Sequence, residues 1–194
     1  MRQSPPPLLI GTTRFEWGVR SHVMGIVNVT PESFSGDGVS DVATAAEQVR
    51  QMVADGADII DIGGQSTRPG FDGLSIEEEL RRVVPMVQAV AAAINVPVSI
   101  DAYRAPVVEA ALDAGATLIN DIWGFRHDEG VATLAARRGV PAVVMHNQRG
   151  RTYHDVIGDI RTGLEVSVDI ARRAGLAPEQ LIADPGFGFG WSVE

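Results

Sequence analysis

Asp101, Asn120 and Asp184 each close a short run rich in Val, Ile and Leu, within PVSID, TLIND and LIAD. Two carboxylates and an amide brought together can read an edge carrying several N–H donors, such as an aminopyrimidinone ring. A single Asp at such a place is often no more than a helix cap; three on neighbouring strands weigh against that. Asn28 closes another apolar run, HVMGIVN. An amide oxygen there suits a hard cation such as Mg²⁺, and an ordinary connecting loop is the plain alternative. Downstream lies TPESFSGDG, with Thr30, Pro31 and Phe34 among its hydroxyls and glycines. In a second loop, GGQSTRPG, Gly63 and Gly64 permit a sharp turn. Ser66, Thr67 and Arg68 then offer two hydroxyls and a guanidinium, a set suited to carboxylate or phosphate, unless Arg68 merely pairs with Asp72 or Glu78. DPGFGFG, at 184–190, interleaves glycines with aromatic rings that can crowd a flat ligand. His146, after an apolar run in VVMHNQRG, is of a kind more often structural than catalytic. No G-x-G-x-x-G, P-loop or nucleophilic triad is visible.

The elements that must carry these residues alternate. Apolar runs at 22–28, 57–62, 97–101, 117–121, 140–146 and 181–184 are near-continuous in Val, Ile and Leu, as strands covered on both faces are. Between them, 42–55, 76–93, 104–114, 129–138 and 156–174 have helical spacing. Ser75 with Glu78 forms a capping-box pattern ahead of an acidic first turn, and Gly56, Gly115, Gly139 and Gly175 stop four of the helices. Such alternation implies right-handed βαβ units and a parallel sheet. Polar residues at six successive strand ends (Asn28, Asp61, Asp101, Asn120 with Asp121, His146 and Asp184) favour a (β/α)₈ barrel, which converges all its strand ends on one site, over a doubly wound sheet. The domain reading is an N-terminal segment at 1–21, with a possible hairpin on the barrel floor, followed by an incomplete TIM barrel at 22–194. Six βα units are expected where a full barrel has eight and takes about 250 residues.

The bulk properties exclude more than they assign. A net charge of -9, from 16 basic and 25 acidic residues, argues against non-specific nucleic-acid binding. There are no cysteines, so disulfides and thiolate metal sites are ruled out. No run is long enough to span a bilayer and the N-terminus lacks the apolar core of a secretory signal, so a cytoplasmic protein is expected.

The longer motifs carry a family resemblance. MGIVNVTPESFSGDG is similar to the first signature of the dihydropteroate synthases, and GADIIDIGGQSTRPG resembles their second. SIDAYRAPVVEAALDAGATLINDIWG, VVMHNQRG and LIADPGFGFG follow in the family's order and at its usual spacing, from about residue 24 to 190. The resemblance implies a TIM barrel that joins 6-hydroxymethyl-7,8-dihydropterin diphosphate to p-aminobenzoate. It implies Mg²⁺ on the diphosphate, with Asn28 as the protein ligand. Asp101, Asn120 and Asp184 match the family's pterin-pocket residues, Met145 would line that pocket, and Thr67 matches a substrate contact. Thr30, Pro31, Phe34, Ser66, Arg68, Pro69 and Phe189 would enclose p-aminobenzoate, the compound that sulfonamides mimic. A homodimer is expected for the full-length form.

The sequence departs from the family pattern in places. Gln65 stands where Glu is usual, Glu32 where Asp is, Ala102 where Thr or Ser is common, Asn147 for Met, and Trp191 where Lys is usual; SGDG replaces SDGG. The family also draws a Lys from its seventh strand and an Arg and a His from its eighth, beyond the six strands read here. Two other readings compete: the pterin domain of a methyltetrahydrofolate-dependent methyltransferase, and an inactive fragment or non-catalytic pterin-binding paralogue. The TPESF and STRPG loops favour the synthase, because a methyltransferase has no p-aminobenzoate to enclose.

Overall fold

A computed structural model describes residues 5–29, 41–65, 74–148 and 153–189. Two short strands, β1 (Leu8–Ile10) and β2 (Thr13–Phe15), pair as an antiparallel hairpin. The βα alternation then begins: β3 (Met24–Asn28), α1 (Val42–Ala54), β4 (Ile59–Gly63), α2 (Ile76–Ala93), β5 (Val98–Asp101), α3 (Ala105–Asp113), β6 (Leu118–Asp121), α4 (Gly130–Arg138), β7 (Ala142–Met145), α5 (Val156–Ala174) and β8 (Leu181–Asp184). All neighbours from β3 to β8 are parallel, and each strand pairs with its successor in the chain. A doubly wound sheet reverses its order at a switch point. This order does not reverse, so the six strands are consecutive staves of a (β/α)₈ barrel wall.

Local sequence explains where the helices start and stop. Asp41 caps α1 by accepting from the Thr44 N–H at 2.8 Å, and Ser75 caps α2 by accepting from the Glu78 N–H at 3.1 Å. The capping box at α2 is half formed, because the Glu78 carboxylate is taken by Arg82 at 2.9 Å and by Arg81. Gly139 and Gly175 close α4 and α5 in the left-handed conformation.

Strand alternation makes two separate cores. On the outer face, Val27, Ile60, Ile62, Val98, Ile100, Ile119, Ala142 and Val144 pack against the helix layer. On the inner face, Ile59, Leu118 and Val143 meet Leu8, Ile10 and Phe15 of the hairpin, with Trp17, Met24 and Ile182 alongside. The hairpin thus plugs the end of the barrel where the strands begin. Arg20 ties it down through a two-pronged pair with Asp58, at 2.5 and 2.8 Å, and Asp58 also accepts from the Val23 N–H at 2.9 Å. No helix of the described residues is long and apolar enough to cross a membrane.

Candidate active site

With the floor closed, polar groups are left at the other end, where the strands finish. Register aligns Asn28 with Gly63, Gly63 with Asp101, and Asp101 with Asn120. Met145 aligns with Asp184. By strand alternation all of these share the inner face with the floor residues. Asn28, Asp101, Asn120, Met145 and Asp184 are therefore brought to one rim, with Phe189 five residues beyond Asp184. Thr30, Pro31, Phe34, Ser66, Thr67, Arg68 and Pro69 lie outside the described residues.

The rim carbonyls and carboxylates are mostly acceptors. Asn120 donates its Nδ2–H to Asp61 Oδ2 at 2.9 Å, one layer below. Asp184 is half committed: its Oδ1 accepts from the Gly186 N–H at 2.8 Å. Gly186 is held at φ 76, and a Cβ there would strike the His146 carbonyl, which is why only glycine fits the turn. Met145, 3% exposed, gives the rim an apolar wall. The Asp101 carboxylate makes no hydrogen bond among the described residues. Burial pushes its pKa well above the usual carboxylate range, and Asp61, Asp121 and Glu79 add repulsion. Burial also raises Asp61, against the pull of Asn120 and of the Ser99 hydroxyl; the latter sits beside it without a hydrogen bond of regular geometry. Acceptors crowded this way are unfavourable alone and are relieved by a ligand that brings N–H donors.

Two strand-end residues point the other way. Asp121 follows Asn120 and so faces the helices. It is fully buried and accepts from the Trp123 and Phe125 N–H groups at 2.8 and 2.9 Å, holding a turn in which Phe125 has φ 66. Burial pushes its carboxyl up to about 6 against those bonds. His146, next to Met145, is turned onto α5, where Gly163 leaves it room and Tyr153 meets its ring edge-on at 5.9 Å. The expectation that all six strand ends feed one site fails at these two, for the plain reason that neighbouring strand residues face opposite sides. Gly63 and Gly64 also differ from expectation. Neither has a positive φ; Gly64 is needed because a Cβ would collide with Val83, whereas a Cβ at Gly63 would meet Asp101 only at ordinary contact distance.

Beside the rim, Arg104 joins what the sequence separates. It donates to the Leu74 carbonyl at 2.7 Å, to Gln65 Oε1 at 3.4 Å, and to Glu79, which is 2% exposed. Residues 65 and 74 flank the second loop, so one guanidinium fixes both of its ends. Tyr103 donates to the same Gln65 oxygen at 3.3 Å and stacks edge-on with His127 and Trp123. No motif announced this network, since Arg104 and Gln65 are 39 residues apart. A surface groove of about 880 Å³ runs along α5 and includes none of these rim residues; Pro185 and Phe187 of the loop after β8 lie at its margin.

The pterin-binding enzyme family matches residues 24–194. The dihydropteroate synthase of Clostridium beijerinckii is 47% identical over 186 residues, covering 95% of this chain and 69% of that protein. The chain belongs to the pterin-binding enzymes and, within them, to the dihydropteroate synthases. Solved structures agree. Yersinia pestis dihydropteroate synthase in a sulfonamide drug complex superposes with a TM-score of 0.88 at 38% identity, covering 96% of this chain and 70% of that one. The Xanthomonas albilineans dihydropteroate synthase with 4-aminobenzoic acid gives 0.86 at 38% identity, covering 98% and 69%. Nothing in these matches favours the methyltetrahydrofolate-dependent methyltransferase reading. Within the dihydropteroate synthases, Gln65 acquires a concrete role here: its amide oxygen serves Tyr103 and Arg104 beside Glu79, where a Glu would set a second carboxylate against the same guanidinium.

Proposed function

We propose that the rim binds 6-hydroxymethyl-7,8-dihydropterin diphosphate and that the reaction joins it to p-aminobenzoate, giving 7,8-dihydropteroate and diphosphate. The observation that carries this reading is the acceptor set of Asp101, Asn120 and Asp184 on one inner face, closed on the side by Met145. An aminopyrimidinone edge presents the N–H donors that such a set lacks. The C–O bond between the pterin methylene and the diphosphate breaks, and the electron pair leaves with the diphosphate. The ring and the surrounding carboxylates stabilise the cation that remains. The arylamine nitrogen then attacks the methylene carbon and its proton passes to solvent or to the departing diphosphate. An arylamine is already nucleophilic, so positioning and electrostatics suffice and no covalent nucleophile is needed.

Asn28 is exposed at the end of β3 and is the rim residue fitted to Mg²⁺. One amide oxygen is enough, because Mg²⁺ takes its remaining ligands from substrate phosphates and water; the ion would supply charge to the diphosphate. Thr67 is assigned to the pterin diphosphate as well. Thr30, Pro31, Phe34, Ser66, Arg68, Pro69 and Phe189 are assigned to p-aminobenzoate. A cytoplasmic homodimer completes the proposal.

Calorimetric titration of the chain with the pterin, Mg²⁺ and diphosphate present tests the site, and chromatographic detection of dihydropteroate tests the reaction. Absence of pterin binding sinks the reading, while binding without product favours a non-catalytic pterin-binding protein. The assignment of the second loop has its own check. Arg68→Ala should raise the KM for p-aminobenzoate; a change confined to the pterin substrate's KM would mean that the loop is assigned to the wrong ligand.

A further inference from the structure

Below the rim, Asp61 is 3% exposed. Its Oδ2 accepts from Asn120 Nδ2 at 2.9 Å. The part of the Asn120 amide that faces Asp61 is thus its NH₂ group, which donates. The amide is planar, and its carbonyl oxygen is thereby turned away from Asp61. That oxygen makes no hydrogen bond among the described residues. Asp61 and Ser99 are register partners on β4 and β5, and Asp61 Oδ1 and Ser99 Oγ are both buried without a hydrogen bond. The layer is thus no closed structural network; its one regular side-chain bond is the one that orients Asn120.

We propose that Asp61 is a positioning residue that holds the Asn120 amide with its carbonyl toward the ligand, so that Asp101, Asn120 and Asp184 form an all-acceptor wall selecting ligands by their N–H donors. This rests on the pterin reading of the rim. Without Asp61 the amide is free to turn over, and its NH₂ would then face the donors of the ligand. Discrimination, and not merely affinity, would suffer.

The test uses the whole chain and two pterins: one unmodified, the other with its exocyclic amine dimethylated and so without those N–H donors. Asp61→Leu, which keeps the volume and removes the acceptor, should lower affinity for the unmodified pterin by roughly 10-fold, the worth of about one hydrogen bond. It should leave the dimethylated pterin almost unaffected, so the ratio between the two shrinks. Asn120→Asp sets two carboxylates together and should cost more, on the order of 100-fold. Combining Asp61→Asn with Asn120→Asp reverses the bond: the amide now at position 61 donates to the carboxylate now at position 120, which again shows an acceptor to the ligand. The combination should regain about 10-fold over Asn120→Asp alone. An unchanged ratio in Asp61→Leu, or no rescue in the double variant, overturns the proposal.

A ligand-free measurement separates this inference from the reading beneath it. The Asn120 side-chain NH₂ should exchange slowly with solvent in a ¹⁵N spectrum and quickly in Asp61→Ala, with amide dispersion reporting that the variant is folded. Rapid exchange in the unsubstituted chain overturns the proposal whatever binds. Slow exchange in a chain that binds no pterin leaves the orientation standing and removes the proposed function instead.

Discussion

The two ends of the barrel lumen are built on the same strands and obey opposite rules. At the floor, Ile59, Leu118 and Val143 close against Phe15, Ile10 and Leu8, and the one carboxylate nearby, Asp58, is fully engaged by Arg20 and the Val23 N–H. At the rim, two residues further along the strands, Asp101 has no partner among the described residues and sits among other carboxylates. The floor buries its apolar groups and pairs its Asp58 carboxylate, which is what stability requires; a ring nitrogen of His22 and the Thr117 hydroxyl stay buried there without a hydrogen bond. The rim leaves acceptors unfilled, which costs stability and is justified only by a ligand. The contrast predicts that floor substitutions change folding and leave binding alone, and that rim substitutions do the reverse.

The largest effect belongs to the floor. Phe15 is 1% exposed at the centre of the plug. Phe15→Ala should destabilise the chain by about 3–5 kcal/mol through lost burial and the cavity left behind, read as a lower urea midpoint. Pterin affinity of the folded protein should hold; a parallel loss of affinity would show that the plug shapes the rim and would break the contrast. Arg104 is the residue that tests the other side of the rule. It lies beside the rim, yet its bonds to Glu79, Gln65 and Leu74 resemble those of the floor. Arg104→Ala strands the buried Glu79 carboxylate and should cost about 3 kcal/mol of stability. A neutral result in thermal unfolding would mean that the Arg104–Glu79 pair adds no net stability.

Asp101→Asn should show the reverse profile. One acceptor becomes a donor facing the N–H groups of the pterin, so affinity should fall by roughly 1–3 kcal/mol in a calorimetric titration. Thermal stability should not fall, because the substitution removes a charge that burial and three carboxylates oppose. Unchanged pterin affinity would remove Asp101, and with it the assigned site.

How legible each region was in the sequence follows from the range of the interactions that make it. Helix α2 is recovered residue for residue at 76–93, and α5 at 156–174, because Ser75, Gly139 and Gly175 act within a turn of their own chain. Most strands start one or two residues later than the apolar runs, where only tertiary pairing decides, while β8 is recovered at 181–184 and β4 gains Gly63. Parity was the harder matter. Asn120 and Asp121 are equally polar and adjacent, and one faces the ligand end while the other holds a turn behind the sheet. Which of the two faces inward depends on register with β5 and β7, which no local pattern contains. The same applies to Met145 and His146. Asp61 was visible as one more strand-end acid, but its bond to Asn120 spans 59 residues. The plain alternative of a helix cap is not what Asp184 does: its Oδ1 accepts from Gly186 within a turn, as Asp121 holds the turn at Trp123 and Phe125.

The smallest effect is also the one that sets the two ends directly against each other, through pH. Arg20 beside Asp58 holds its carboxyl down at about 2. A carboxyl depressed on folding stabilises above its unfolded value of about 3.9 and loses that contribution as pH falls through the folded value. Arg20 is largely exposed although Asp58 is not, so solvent screens the pair and its contribution is small. Asp101 and Asp121 are raised, Asp121 to about 6. A carboxyl raised on folding contributes most below its unfolded value, and that contribution is lost as pH rises through the folded one. The urea midpoint should therefore climb as pH drops from 7 toward 5, where Asp121 behind the sheet is relieved together with Asp101 at the rim and the floor pair is intact, and turn down below about 4 as Asp58 is protonated. Asp101→Asn should flatten the climb and leave the downturn; Asp58→Asn should weaken the downturn and leave the climb. If either substitution altered both limbs equally, the two ends would be titrating as one unit, and the division between a floor that stabilises and a rim that binds would have to be given up.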